Sequence, residues 1–166
     1  FGVTPDMVQV TQGDSTALPR GGGTGGSSST IISGGTLARA ARDAIENGRE
    51  AAAELLEAAR ADIEWRDGGY EVAGTDRRIG LAQVAAHRGG IAGRAEFEGT
   101  VESWPAGIAV AEVEIDPETG HVVLTRFCSA VDAGTVVNPM LLAGQLHGGW
   151  AAGIGNALAE AARYDA

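Results

Sequence analysis

Arg20-Gly21-Gly22-Gly23-Thr24-Gly25-Gly26-Ser27-Ser28-Ser29-Thr30 is the stretch on which the reading of this chain turns. Five glycines and three serines lead into a helical pattern that begins at Thr30. Without Cβ atoms such a loop reaches positive φ and lets a ligand lie against the backbone. Ser29 or Thr30 stands where a side chain caps the first turn. The free N–H groups of that turn and the positive end of the helix dipole make a cradle for phosphate or another anion. A flexible solvent loop is the alternative for any Gly/Ser run. The flanking order favours the cradle. Upstream, Thr4-Pro5-Asp6 reads as a turn, Met7-Val8-Gln9-Val10-Thr11 alternates as a short strand, and Asp14-Ser15-Thr16 is a polar turn. Strand, polar turn, glycine loop and helix deliver a binding loop to the end of a sheet.

Two familiar phosphate motifs fail here. Gly21, Gly23 and Gly26 satisfy G-x-G-x-x-G, but Pro19-Arg20 precedes them instead of a strand, and the nearest acid, Glu46, lies within a helical pattern. A P-loop needs Lys before its Ser/Thr, and the loop has none.

Composition narrows the class. The 166 residues suffice for one domain, expected to span 1–166. Hydrophobic residues make up 44% but aromatics only 5%, so the core is built mainly of Ala, Val, Leu and Ile. The 26 glycines are about double the usual share, which implies tight backbone packing or a chain shaped around a ligand. A net charge of −10 argues against nucleic acid, because phosphate-tracking surfaces need a basic stripe. No apolar run approaches the roughly 20 residues that span a bilayer, and no signal peptide is visible. Cys128, the single cysteine, excludes an internal disulfide and reads as a small buried hydrophobe. The chain opens on Phe1 and closes on Tyr164-Asp165-Ala166, which suggests a segment of something longer.

Downstream of the loop, apolar residues from Leu37 to Ile63 recur at helical steps, with Asn47-Gly48 a candidate break between two helices. The charged residues between them form a solvated face. Trp65, Asp67-Gly68-Gly69 and Tyr70-Glu71-Val72 predict a hairpin. A short helix over 79–87 ends at His87, a C-terminal cation. Arg94 to Trp104 has no regular pattern. Gly107 to Ile115 alternates, Asp116-Pro117-Glu118-Thr119-Gly120 is a turn, and His121 to Val131 returns as the second strand. His121 is expected at the surface, and the three histidines lack metal-type spacing, so no metal ligand is assigned. Asn138-Pro139 predicts an N-cap and first helical residue. Gly144, Gly148, Gly149, Gly153 and Gly155 burden the helix that follows by about 1 kcal/mol each, which close contact must offset. Gln145 among them offers an amide to a heterocycle; an ordinary polar residue on a tightly packed helix is the other reading.

Three stretches carry a family resemblance. Gly13-Asp14-Ser15 with the 21–30 loop resembles the cofactor loop of molybdenum hydroxylase large subunits, the xanthine dehydrogenase and aldehyde oxidase family. Val113-Glu114-Ile115-Asp116-Pro117-Glu118-Thr119-Gly120 resembles that family's hairpin. The run 131–149, with Asp132-x-Gly134, Asn138-Pro139 and Gly144-Gln145-x-x-Gly148, is similar to the segment that makes a second cofactor contact. The wording is most like the large subunits of aerobic carbon monoxide dehydrogenase-like enzymes. The resemblance implies an α+β fold, a mixed or antiparallel sheet with packed helices, forming part of a larger molybdopterin-binding domain. It implies molybdopterin, in the cytosine dinucleotide form, touched by Gly25, Gly26, Ser27, Ser28, Ser29 and Gln145. It further implies hydroxylation of an aldehyde, N-heterocycle or CO-type substrate with water as oxygen source. Electrons then pass to 2Fe-2S and FAD on partner subunits, in a cytoplasmic dimer of heterotrimers, with export by a partner's signal left open. The family's upstream Gly-Gln-Gly loop and downstream catalytic glutamate fall outside this segment, and Ser28 stands where members often carry Arg. No catalytic residue is therefore named, and the isolated chain is expected to be inactive. A non-catalytic domain whose glycines serve packing or assembly is the alternative.

Overall fold

A computed structural model describes residues 1–18, 21–97 and 104–164. The expectations at Pro19-Arg20, at 98–103 and at the last two residues lie outside the described residues. The chain gathers into two compact units, Phe1–Val101 and Glu102–Ala166. Both are α+β, with antiparallel sheets, as expected.

In the first unit a π-helical turn, Thr30–Gly34, runs directly into α1, Gly35–Leu55. The Asn47-Gly48 break does not occur, because α1 continues through both residues. Gly48 is buried, and the Tyr70 ring occupies the space its side chain would need. The helix stops where Glu57 enters the left-handed region at φ 46°. Strands β1 (Ile63–Arg66) and β2 (Gly69–Val72) form the expected hairpin, closed by Asp67 and Gly68. Their φ of 46° and 76° match a turn with two left-handed central residues. Strand β3 (Arg78–Gly80) adds to β2, and α2 (Leu81–Arg88) follows, ended by Gly89 at φ 70°. His87 lies in the last turn of α2, and it and Arg88 meet Glu54 of α1 at 3.6 and 3.1 Å.

The core of this unit is Ala51, Ala52, Ala53, Leu56, Ile63, Tyr70, Val72 and Val84. Three successive alanines let α1 lie close on the β1–β2 hairpin, and Tyr70 fills the volume they leave. Its ring stands edge-on to Trp65 at 4.8 Å. Met7-Val8-Gln9-Val10-Thr11 is a correction: no described strand pairs with it, and Met7 and Val10 are 70% and 78% exposed. Alternation gives a segment its two faces, but a strand exists only where a neighbour completes the ladder.

In the second unit β4 (Ala106–Ile115) and β5 (Val122–Asp132) form the long hairpin, with a bulge at Glu112/Val113. Asp116 Oδ1 accepts the Glu118 amide at 2.8 Å and closes the turn, and His121 is exposed as expected. Helix α3, Pro139–Leu158, begins as the sequence predicts: Leu141 N–H donates to Asn138 Oδ1 at 3.1 Å. Phe127 meets Trp150 of α3 at 5.8 Å between ring centroids. Cys128 is the second correction. It is exposed, because strand alternation turns it away from the face on which Phe127 meets α3.

Candidate functional site

Gly25, Gly26, Ser27, Ser28 and Ser29 come together in one turn at the start of the π-helical segment. Ser28 donates through N–H and Oγ–H to the Gly25 carbonyl, at 3.2 and 2.7 Å. Gly26 and Ser27 occupy the two central positions, both left-handed at φ 57° and 55°. Glycine adopts that geometry freely; serine pays of order 1–3 kcal/mol for it. Such strain survives where a backbone shape is needed for something besides folding. Upstream, Asp14 Oδ1 accepts the Thr16 amide at 2.8 Å, which holds its carboxyl below the usual carboxylate range. That bond shapes the approach to the loop.

The serine cap expected at the helix start is not formed. Ser29 is already helical, at φ −58° and ψ −41°, and its hydroxyl donates to Thr24 Oγ1 at 3.0 Å. A capping side chain needs an extended backbone at the cap position, and Ser29 lacks one. The first intrahelical bond runs from Ile32 N–H to Ser28 C=O at 2.9 Å, so the amides of Ser29, Thr30 and Ile31 precede the ladder. The wide turn that follows is braced by Thr36 Oγ1, which donates to Ile32 C=O at 2.7 Å. The role of Thr24 was not read from the sequence; a small polar residue five positions before Ser29 was its only signal.

A Cβ built on Gly25 or Gly26 would meet nothing within 4 Å. Packing among the described residues therefore does not explain these glycines. Open space beside the backbone and helix-start amides without a side-chain cap fit a phosphate-bearing group.

Gln145 stands two turns into α3, in the other unit, and is exposed. Gly148 and Gly149 follow it at three and four residues, so they share its side of the helix. Gly144, Gly148, Gly149 and Gly153 would each accept a Cβ with nothing within 4 Å. Gly149 and Gly153 border a cavity of about 340 Å³ between α3 and the β4–β5 hairpin, with Phe127, Trp150 and Leu124 in its wall. No charged side chain lines it, so it does not suit an anion. Among the described residues, no cluster of His, Cys, Asp or Glu could hold a metal ion. Among the described residues, no helix is long and apolar enough to cross a membrane.

Comparison with known proteins gives the family. The family model of the molybdopterin cofactor-binding domain matches residues 1–166. Subunit gamma of the 6-hydroxypseudooxynicotine dehydrogenase complex of Paenarthrobacter nicotinovorans is 33% identical over 98% of this chain. The carbon monoxide dehydrogenase large chain of Hydrogenophaga pseudoflava is 33% identical over 100% of it. The chain spans 22% of each of those relatives. Among solved structures, Cu,Mo-CO dehydrogenase in its carbon monoxide reduced state superposes with a TM-score of 0.84 at 29% identity. The match covers 96% of this chain and 21% of that one. Quinoline 2-oxidoreductase from Pseudomonas putida 86 gives 0.67 at 33% identity, over 85% and 20%. Since the family match runs unbroken from the Gly/Ser loop through the Gln145 helix, the chain belongs to the molybdopterin cofactor-binding domain family of the molybdenum hydroxylases.

Proposed function

We propose that this chain is one part of the large subunit of a molybdenum hydroxylase, a single cofactor-binding domain over 1–166. In this reading Gly25, Gly26, Ser27, Ser28 and Ser29 hold the phosphate-bearing arm of molybdopterin, and Gln145 offers its amide to the same molecule. The observation that carries it is the left-handed Gly26-Ser27 pair before a helix start that no side chain caps. The match to a molybdopterin cofactor-binding family supports molybdopterin as the ligand in this reading. Loop amides and hydroxyls bind and orient the cofactor, and the bare glycines let it approach the backbone. The cofactor, when bound, supplies the two-electron redox chemistry.

The finer reading follows the family resemblance. The cofactor takes the cytosine dinucleotide form, and the substrate is an aldehyde, N-heterocycle or CO-type molecule with water as oxygen source. The rest of the large subunit and partner subunits with 2Fe-2S and FAD complete a cytoplasmic dimer of heterotrimers. Support comes from carbon monoxide dehydrogenase, nicotine 6-hydroxylase and aldehyde oxidoreductase among the similar proteins. The test is to measure molybdenum and pterin in the purified parent complex. Both are expected in stoichiometric amounts; a complex with neither overturns the reading.

A further inference from the structure

We propose that β4 is an inner strand of a larger sheet in the parent protein, its outer edge paired with an extended segment of the same large subunit from outside residues 1–166. This inference rests on the reading above that the chain is one part of such a subunit.

Among the described residues β4 pairs only with β5, and no described residue of the second unit is buried. A lone two-stranded hairpin is marginal in water; three strands with a covered apolar face are the usual minimum. The composition of β4 says what is missing. From Ala106 to Ala111 the strand carries no polar side chain. A continuous apolar run belongs to a strand covered on both faces, whereas a strand with one face in water alternates. On one face Ala111, opposite Phe127, borders the cavity beneath α3. On the other, Ile108 and Val110 are 68% and 60% exposed, with Ala130 and Cys128 opposite them.

The two edges of the hairpin differ. The register passes from Glu112–Arg126 to Val113–Leu124, so Thr125 is an extra residue on β5. Its hydroxyl donates to the Glu112 carbonyl at 3.0 Å and fixes the bulge. A bulge twists an edge and interrupts its row of outward amides and carbonyls, which guards β5 against further pairing. β4 has no such guard. It runs from Ala106 to Ile115 with no extra residue, proline or lysine. A long, regular edge of that kind is a template for another strand.

Size selects the occupant. At about 3.3 Å per residue and ~10 Å of depth, the β4 edge offers on the order of 300 Å². Separate proteins that associate stably bury about 800 Å² each. A second copy or another subunit meeting this edge alone buries too little, while a strand tethered in the same polypeptide loses no free translation on docking. The relatives compared above extend far beyond this chain, which spans 22% of each.

The test is peptide-level hydrogen exchange on the unmodified full-length parent enzyme. An open edge leaves about half of the β4 amides, the alternate ones that point away from β5, exchanging as fast as a loop. A paired edge protects nearly all of them, so slow amides in 106–115 should be about twice as many as an open edge allows. Free exchange at the alternate amides overturns the proposal. A benzophenone-bearing residue in place of Glu112, an exposed position on β4, identifies the neighbour. Crosslinks to the large subunit outside 1–166 are expected. Capture of residues 1–101, of a second copy or of another subunit overturns the assignment. A parent polypeptide with nothing outside 1–166 overturns the reading on which the inference rests. A parent enzyme without molybdenum or pterin, but with β4 fully protected, overturns the cofactor reading and leaves the pairing in place.

Discussion

The Tyr70 hydroxyl sits where a Cβ on Gly48 would stand, and from there it donates to the Ile45 carbonyl at 2.9 Å. A glycine in mid-helix, the commonest sign of a break, is here the socket for a side chain from the neighbouring hairpin. Gly48→Ala should therefore destabilise the first unit by about 1–3 kcal/mol through overpacking. Helix propensity alone would predict a gain of about 1 kcal/mol. In Gly48→Ala with Tyr70→Phe the two losses should be less than additive, since removing the hydroxyl relieves the clash. Hydrogen exchange of the α1 amides in the parent protein reads both effects.

Burial raises the Tyr70 phenol above its ordinary value, with Glu46 adding to the shift and Arg49 opposing it. The neutral form is the one that can donate to Ile45. The folded pKa thus exceeds the unfolded one, near 10. Its stabilising contribution is complete below that value and is lost as pH rises through the folded pKa. In the Tyr164→Phe variant of the 166-residue chain, Tyr70 is the only tyrosine. Ultraviolet titration of that variant should show ionisation coinciding with alkaline unfolding. A phenol that ionises at an ordinary pH while the fold persists would contradict this.

Gly26→Ala places a side chain at φ 57° with open space around it, so nothing in the described structure resists except backbone strain. That strain costs about 1–2 kcal/mol, confined to the loop. Molybdenum content of the parent enzyme should fall while exchange at Val72 and Tyr70 stays unchanged. If the glycine serves packing alone, cofactor content will not move.

Gln145→Ala removes an exposed amide from α3 and adds helix propensity. Circular dichroism of the parent complex should be unaltered, while pterin released on denaturation drops. Equal loss of both signals would mark Gln145 as structural.

In the holoenzyme the Gly21–Ser29 loop should resist proteases and become sensitive once the cofactor is stripped. All its described residues up to Ser27 are exposed in this chain, which leaves protection to a bound molecule or a neighbouring segment. Rapid cleavage in the molybdenum-loaded enzyme would favour a packing role elsewhere for these glycines.

What the sequence determined by itself is local. The Asp67-Gly68 and Asp116–Gly120 turns, the Asn138-Pro139 helix start and the alternation in β4 and β5 follow from backbone preference and capping within a few residues, and all stand where they were read. The family was legible too, because the Asp-x-Gly, Asn-Pro and Gly-Gln-x-x-Gly spacing is specific. Tertiary structure decided everything that depended on a distant partner. Gly48 breaks no helix because Tyr70 fills the space beside it, and Met7–Thr11 is no strand because nothing described pairs with it. Cys128 is exposed because the hairpin meets α3 with its other face, and Ser29 gives its hydroxyl to Thr24 because the helix begins one residue early. A side chain's neighbours along the chain are written in the sequence; its neighbours across space depend on which faces meet.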